Sequence, residues 1–245
     1  MSRRRADDHS LKRPEWVLRP HREVDVVEGY ARWSRVYDDD INLLLGPEAE
    51  MVTDLLAGLQ FDTALDAAAG TGRHLTRLGR ATSIVALDQS KAMLPTAVGK
   101  NQSATATSFV RGDLGHLPLA DRCFDLVVCA LALCHVPEIA PVAAEFSRVL
   151  RPGGYLLVSD FHPAAIEWGL RSEFDFEGMN YRLPNPDHRL QGYVDALTGA
   201  HFRTLRVTEL TMATCGVSRP SDLGAQYEEE WPELPFSLGI LAQAT

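Results

Sequence analysis

Between Phe61 and Asp88 the chain reads as a buried run, Phe61 to Ala67, a turn of small residues, Ala68-Ala69-Gly70-Thr71-Gly72, and a second buried run, Ser83 to Leu87. Short apolar runs bounded by glycine and acidic residues predict strands. A helix is expected from Gly72 through Leu78, and another over Lys91 to Val98 with Ser90 as its N-cap. The alternation continues. Ser108 to Arg111 reads as a third strand ending in Gly112-Asp113, and Phe124 to Ala130 as a fourth, apolar enough to be buried on both faces. Pro141 to Leu150 predicts a helix stopped by Arg151-Pro152-Gly153-Gly154, before a fifth strand at Tyr155 to Ser159. Strands alternating with helices predict a parallel sheet with right-handed crossovers.

Flanking this region, Val26 to Tyr37 and Glu48 to Leu59 have helical spacing. After Asp160 the alternation lapses. Residues 161–187, with Pro163, Gly169, Gly178, Pro184 and Pro186, are long for a plain connection and read as a cap or lid. A helix near Leu190 to Leu197 and strands over about Arg203 to Met212 and Pro235 to Ala242 close the domain. The reading is a basic arm over residues 1–24 and one domain over 25–245, with 161–187 inserted as cap.

Ligands of such sheets sit beyond the carboxyl ends of the strands. Three strand ends here suit an adenosine. The small residues of 68–72 let backbone approach a ligand closely, and the following helix offers free N–H groups. Asp88 can accept both hydroxyl hydrogens of a ribose. Asp113 stands where an adenine amino group would donate. A dinucleotide-binding dehydrogenase shares the glycine turn, but its Gly-x-Gly-x-x-Gly fingerprint wants glycine where Leu75 stands.

The ordered set resembles the class I S-adenosylmethionine-dependent methyltransferases, in the broad ubiquinone/menaquinone-biosynthesis-like (methyltransferase type 11) group. The motifs that carry it are Leu65-Asp66-Ala67-Ala68-Ala69-Gly70-Thr71-Gly72-Arg73-His74, Ala86-Leu87-Asp88-Gln89-Ser90, Gly112-Asp113-Leu114, Phe124-Asp125-Leu126-Val127 and Arg148-Val149-Leu150-Arg151-Pro152-Gly153-Gly154. The likeness is good over about residues 26–163 and looser beyond. It implies a Rossmann-like doubly wound α/β fold: a mostly parallel seven-stranded sheet with an antiparallel last strand. A small cap would come from the N-terminal helices and the segment after strand five.

The resemblance further implies that Asp66, Ala68, Gly70, Gly72 and Arg73 hold the methionine and ribose end of S-adenosylmethionine. Asp88 and Gln89 would hold the ribose. Met93, Asp113 and Leu114 would meet the adenine, and Ala130 the pocket floor. Tyr30 and Tyr37 lie in a helix that covers the donor in similar enzymes, though they equally suit packing of an amphipathic helix. Ala68 stands where the family usually has glycine.

Methyl transfer from a sulfonium is a direct displacement, so alignment of acceptor and methyl supplies much of the rate. An acidic hydroxyl or protonated amine must also lose a proton, and histidine, with a pKa near ~6.5, suits that task. His162, directly after strand five, and His188, before the next helix, are the candidate bases. His135 and His74 read as architectural or donor-binding.

Composition limits the acceptor. A net charge of −9 argues against a nucleic-acid partner, although Arg3, Arg4, Arg5, Lys12, Arg13, Arg19 and Arg22 make the N-terminal arm locally basic. Ala130-Leu131-Ala132-Leu133 replaces the Asn-Pro tetrad of nucleic-acid amino-methylating enzymes. Met1 to His9 has no apolar leader, and no run approaches the ~20 residues of a membrane span. None of the four cysteines forms a C-x-x-C pair, so neither a metal nor a disulfide is expected. The expectation is a cytoplasmic monomer or homodimer that methylates O, N or C of a small molecule and releases S-adenosyl-L-homocysteine. The alternatives are a donor-binding protein that transfers no methyl and, more remotely, an RNA methyltransferase.

Overall fold

The computed structural model describes residues 20–39, 42–101, 105–219 and 229–245. Most of the basic arm, including Arg3 to Arg19, lies outside the described residues.

Strands β2 (Thr63–Ala67), β3 (Ser83–Asp88), β4 (Ala106–Arg111), β5 (Phe124–Ala130), β6 (Leu150–Phe161), β9 (Phe202–Thr211) and β10 (Pro235–Ala244) form one sheet in the order β4-β3-β2-β5-β6-β10-β9. Neighbours from β4 to β6 are parallel. β10 runs antiparallel between β6 and β9. The order reverses between β2 and β5, and both strands open toward the same edge there. This is the expected doubly wound seven-stranded sheet.

Side chains alternate across it into two cores. On one face Leu65, Val127 and Val158 meet Phe146 of α4 (Ile139–Val149) and Tyr193 of α6 (Leu190–Gly199). On the other, Ala64, Leu126 and Leu157 meet Met51, Val52 and Leu55 of α2 (Leu45–Leu56). α2 rides close to the sheet because position 239 is glycine: a Cβ there would lie 2.8 Å from Met51 Sδ.

Local readings fail where a side chain does something other than its usual job. Gly72 to Leu78 is a run of turns, not a helix: bonds close over three residues, as from Leu75 N–H to Gly72 O (3.1 Å) and Arg77 N–H to His74 O (2.9 Å). The next helix, α3 (Leu94–Lys100), begins three residues later than Lys91, because Ser90 does not cap it. The Ser90 hydroxyl is buried without a partner, and its N–H is held by Asp88. Arg151 to Gly154 does not interrupt the chain but opens β6, with a register shift against β5 near Phe124 and Leu126.

The stretch over 161–187 is more regular than expected. It holds α5 (Pro163–Trp168) and a hairpin of β7 (Glu173–Phe176) and β8 (Met179–Arg182). Glu177 and Gly178 both take positive φ, 51° and 77°, as a two-residue hairpin turn demands. β1 (Arg22–Glu23) joins β8 in parallel, making a separate three-stranded sheet. Arg22, read as part of the arm, thus belongs to this cap. α1 (Val26–Trp33), capped by Asp25 on the Glu28 N–H at 2.9 Å, packs Trp33 flat on Phe174 with ring centres 4.8 Å apart. Phe174, Tyr181 and Trp33 are the cap's own core. No described helix is long and apolar enough to cross a membrane.

Candidate active site

A cleft of about 740 Å³ opens over the carboxyl ends of β2, β3, β4 and β5, at the point where the strand order reverses. That volume lies within the range of small-molecule sites. Its floor and walls bring together Tyr30, Tyr37, Ala68, Gly70, Arg73, Asp88, Gln89, Met93, Asp113, Leu114 and Ala130. Asp66 and Gly72 stand behind this lining. Gly72 is packed where a Cβ would lie 2.8 Å from Leu75 Cδ1.

The turn after β2 is shaped by unusual backbone. Ala68 has φ 61°, Gly70 φ 56° and Gly72 φ 77°. At Ala68 the methyl group strains a conformation that glycine adopts freely. The turn is tied from two sides. Asp88 Oδ2 accepts the Gly70 N–H at 2.8 Å while Oδ1 accepts the Ser90 N–H at 2.7 Å. The Thr71 hydroxyl donates to Asp38 Oδ1 at 3.0 Å, and Asp38 also pairs with Lys100. The segment after α1 is thereby anchored to the glycine turn.

Burial raises the Asp88 pKa against the pull of the Ser90 and Gly70 N–H groups. Each carboxylate oxygen has a second acceptor direction, as a ribose diol requires. Asp66 is buried deeper. Burial pushes its pKa up to about 7, with Arg73 pulling down and Asp88 and Glu48 pushing up, and its Oδ2 has no partner. An orphaned buried carboxylate oxygen beside a cleft of this size fits a ligand bearing donors. Asp113 is more exposed and folds its Oδ1 onto the Gly115 N–H at 2.8 Å, leaving Oδ2 for an incoming amine.

Glu48 was not singled out in the sequence, yet it organises the layer beneath the turn. It is fully buried on α2, paired with Arg73 and accepting from the Ser159 hydroxyl. His74 Nε2 lies 3.4 Å from its Oε1, a contact without hydrogen-bond alignment. Burial works against the Glu48 charge, but His74 and Arg73 hold its pKa down to about 2. The signal was present: Glu48, Met51, Val52 and Leu55 share one helix face, and all four are buried. A charge on an apolar face needs a buried partner, and Arg73 is that partner.

The candidate bases fall elsewhere. His162 is absent from the cleft lining: its Nδ1 accepts the Ala164 N–H at 3.0 Å, capping α5, and its Nε2 donates to Glu209 at 2.8 Å. Both ring nitrogens are committed to structure, so the expectation of His162 as a base is corrected. His188 likewise lies outside, its Nε2 donating to the Val136 carbonyl at 2.7 Å. His74 and His135 do line the cleft, reversing the sequence-based ranking of the histidines.

Residues 65–158 match the family model described as "Methyltransferase domain". The chain is 39% identical over 115 residues to a demethylmenaquinone methyltransferase of Renibacterium salmoninarum, covering 46% of this chain and 47% of that one. It is 35% identical over 144 residues to a malonyl-[acyl-carrier protein] O-methyltransferase of Xylella fastidiosa, covering 57% and 48%. The chain therefore spans about half the length of these curated relatives. Among solved structures, an S-adenosylmethionine dependent methyltransferase from Mesorhizobium loti shares the fold at TM-score 0.62 and 21% identity, covering 82% of this chain and 100% of that one. Through the matched segment, set in this sheet, the chain carries a class I S-adenosylmethionine-dependent methyltransferase domain of the ubiquinone/menaquinone-biosynthesis-like group.

Proposed function

We propose that this protein transfers the methyl group of S-adenosylmethionine to an O, N or C atom of a small molecule, releasing S-adenosylhomocysteine. The observation that carries the reading is Asp88. It braces the glycine turn through the Gly70 N–H and presents its carboxylate to the cleft at the switch point. The donor supplies an electrophilic methyl on a sulfonium. The chain's part is to hold it: Asp88 and Gln89 for the ribose, Asp113 and Leu114 for the adenine, and Arg73 with the turn for the amino-acid end. Tyr30 and Tyr37 cover the cleft from the α1 side, which excludes water from the methyl.

The relatives named for demethylmenaquinone and malonyl-acyl-carrier substrates favour a quinone-like or acyl acceptor, held under a cap formed by residues 20–39 and 161–187. The chain's acidic balance and the lack of an Asn-Pro tetrad after β5 speak for a small molecule over nucleic acid, acting in the cytoplasm as monomer or homodimer.

Calorimetric titration with S-adenosylhomocysteine, with NAD as control, tests the donor site. Micromolar binding of the first alone, lost in Asp88→Ala, is the expected result. Binding of NAD or of neither compound overturns it. Labelled methyl appearing in an acceptor then separates transfer from mere donor binding.

A further inference from the structure

A second cleft, of about 360 Å³, lies between the cap and the sheet and shares Tyr30, Tyr37, Leu131 and His135 with the first. Its walls are ring-rich: Trp33 and Phe174 from the cap face Phe161 and Phe236 from β6 and β10. The charged groups in that wall are already compensated. Arg182 pairs with Glu173 at 3.1 Å, Asp175 accepts from Asn180 at 3.1 Å, and Arg171 Nη1 donates to the Ile166 and Leu170 carbonyls. Such a wall favours a neutral, planar occupant, because an anion would find its cations engaged.

At the shared partition, the His135 Nδ1 lies 2.8 Å from the Pro184 carbonyl. A carbonyl only accepts, so Nδ1 carries the proton and Nε2 holds a lone pair. Nε2 in turn accepts the Tyr30 hydroxyl at 3.1 Å. The neighbouring Leu131 has φ 53°, a strained backbone of the kind that collects at functional sites. His135 is 8% exposed, and burial lowers its pKa against the pull of Pro184 O, so the ring is neutral at pH 7. Around the pair stand Tyr37 from the α1 side, Cys134 beside His135, Asp88 across the larger cleft and Asp160 at the end of β6.

We infer that the smaller cleft binds a neutral aromatic acceptor bearing an acidic hydroxyl, a phenol or hydroquinone, and that Tyr30 and His135 take up its proton. The inference rests on the donor reading above. As the acceptor O–H bond breaks, its proton passes to the Tyr30 oxygen and the Tyr30 proton passes to His135 Nε2, giving an imidazolium. The oxygen that keeps the electron pair takes the methyl, and the donor sulfur keeps the pair of the broken S–CH3 bond. The imidazolium then returns its proton to solvent. Tyr30 keeps its proton at rest because burial raises its pKa well above the usual value.

The probe is 4-nitrophenol, whose ionised form absorbs in the visible. It is titrated with pH on protein loaded with sinefungin, a donor analogue that places an amine where the methyl sulfonium stands. The expected result is half-ionisation about one pH unit below that of free 4-nitrophenol, a tenfold shift. The shift disappears in His135→Gln and shrinks in Tyr30→Phe, while 4-nitrophenyl phosphate fails to compete. S-Adenosylhomocysteine binding by both variants serves as the folding control. Where His135→Gln does not fold, Tyr30→Phe and the phosphate arm decide. No binding of 4-nitrophenol to loaded protein, an unchanged shift in the variants, or equal binding of the phosphate ester overturns the inference. Failure of wild type to bind S-adenosylhomocysteine overturns the donor reading instead.

Discussion

The Asp88 carboxylate accepts the N–H of Gly70, eighteen residues earlier in the chain, at 2.8 Å. One side chain therefore both shapes the turn and faces the ligand. Replacing it with alanine leaves the Gly70 and Ser90 N–H groups without their acceptor, at about 1–3 kcal/mol for each buried donor. S-Adenosylhomocysteine affinity is expected to fall by roughly 100-fold or more in Asp88→Ala, about 2.7 kcal/mol. Calorimetry giving affinity within threefold of wild type would show that Asp88 does neither job.

Glu48 links stability to acid. Its folded pKa of about 2 lies below the ordinary 4.5, so its contribution is complete above about pH 4.5 and is lost as pH falls toward 2. Glu48→Gln leaves Arg73 buried without its counter-charge, at roughly 3–5 kcal/mol. Urea melts should show that deficit at pH 7 and a much smaller one near pH 2.5. A deficit that does not change with pH would mean the site matters for packing alone.

Asp66 works in the opposite sense. Its pKa rises from 3.8 to about 7 on folding, so ionising it opposes the ligand-free fold increasingly as pH climbs through that window. Asp66→Asn should raise the melting temperature of the ligand-free protein at pH 8 and leave it nearly unchanged at pH 4. The same variant should bind S-adenosylhomocysteine more weakly. Equal melting shifts at both pH values would exclude a buried, titrating Asp66.

Ala68 holds φ 61° in a turn whose other members with positive φ, Gly70 and Gly72, are glycines. An alanine in the left-handed region costs about 1–2 kcal/mol, partly offset by the greater freedom of glycine in the unfolded chain. Ala68→Gly should therefore stabilise by about 0.5–1 kcal/mol and raise the melting temperature by a few degrees. A lowered melting temperature would mean that the methyl group packs usefully.

The strands were legible because runs such as Phe124 to Ala130 are buried on both faces and carry little ambiguity. The donor-facing residues were legible for a related reason: strand ends at a switch point converge whatever the loops do. Features set by distant partners were not. Glu48 is explained only by Arg73, twenty-five residues away, and the tautomer of His135 only by the Pro184 carbonyl. His162 follows β6 directly, yet capping α5 turns its ring toward Glu209 and away from the cleft. The hairpin of β7 and β8 escaped notice because its turn is Glu177-Gly178, without the Asn-Gly or Asp-Gly that usually marks such a turn.

The placing of β10 between β6 and β9 has a kinetic consequence. A ribosome makes β6 and β9 first, so both present unpaired edges until β10 arrives to fill the gap between them. During that interval β9, with Leu205 and Val207 on its exposed face, can pair with another chain or prematurely with β6, and either product must dissociate before the sheet can close. Refolding followed by pulsed amide exchange should protect β9 and β10 together, after β2 and β3. Protection of β9 ahead of β10 would show that it finds a partner elsewhere.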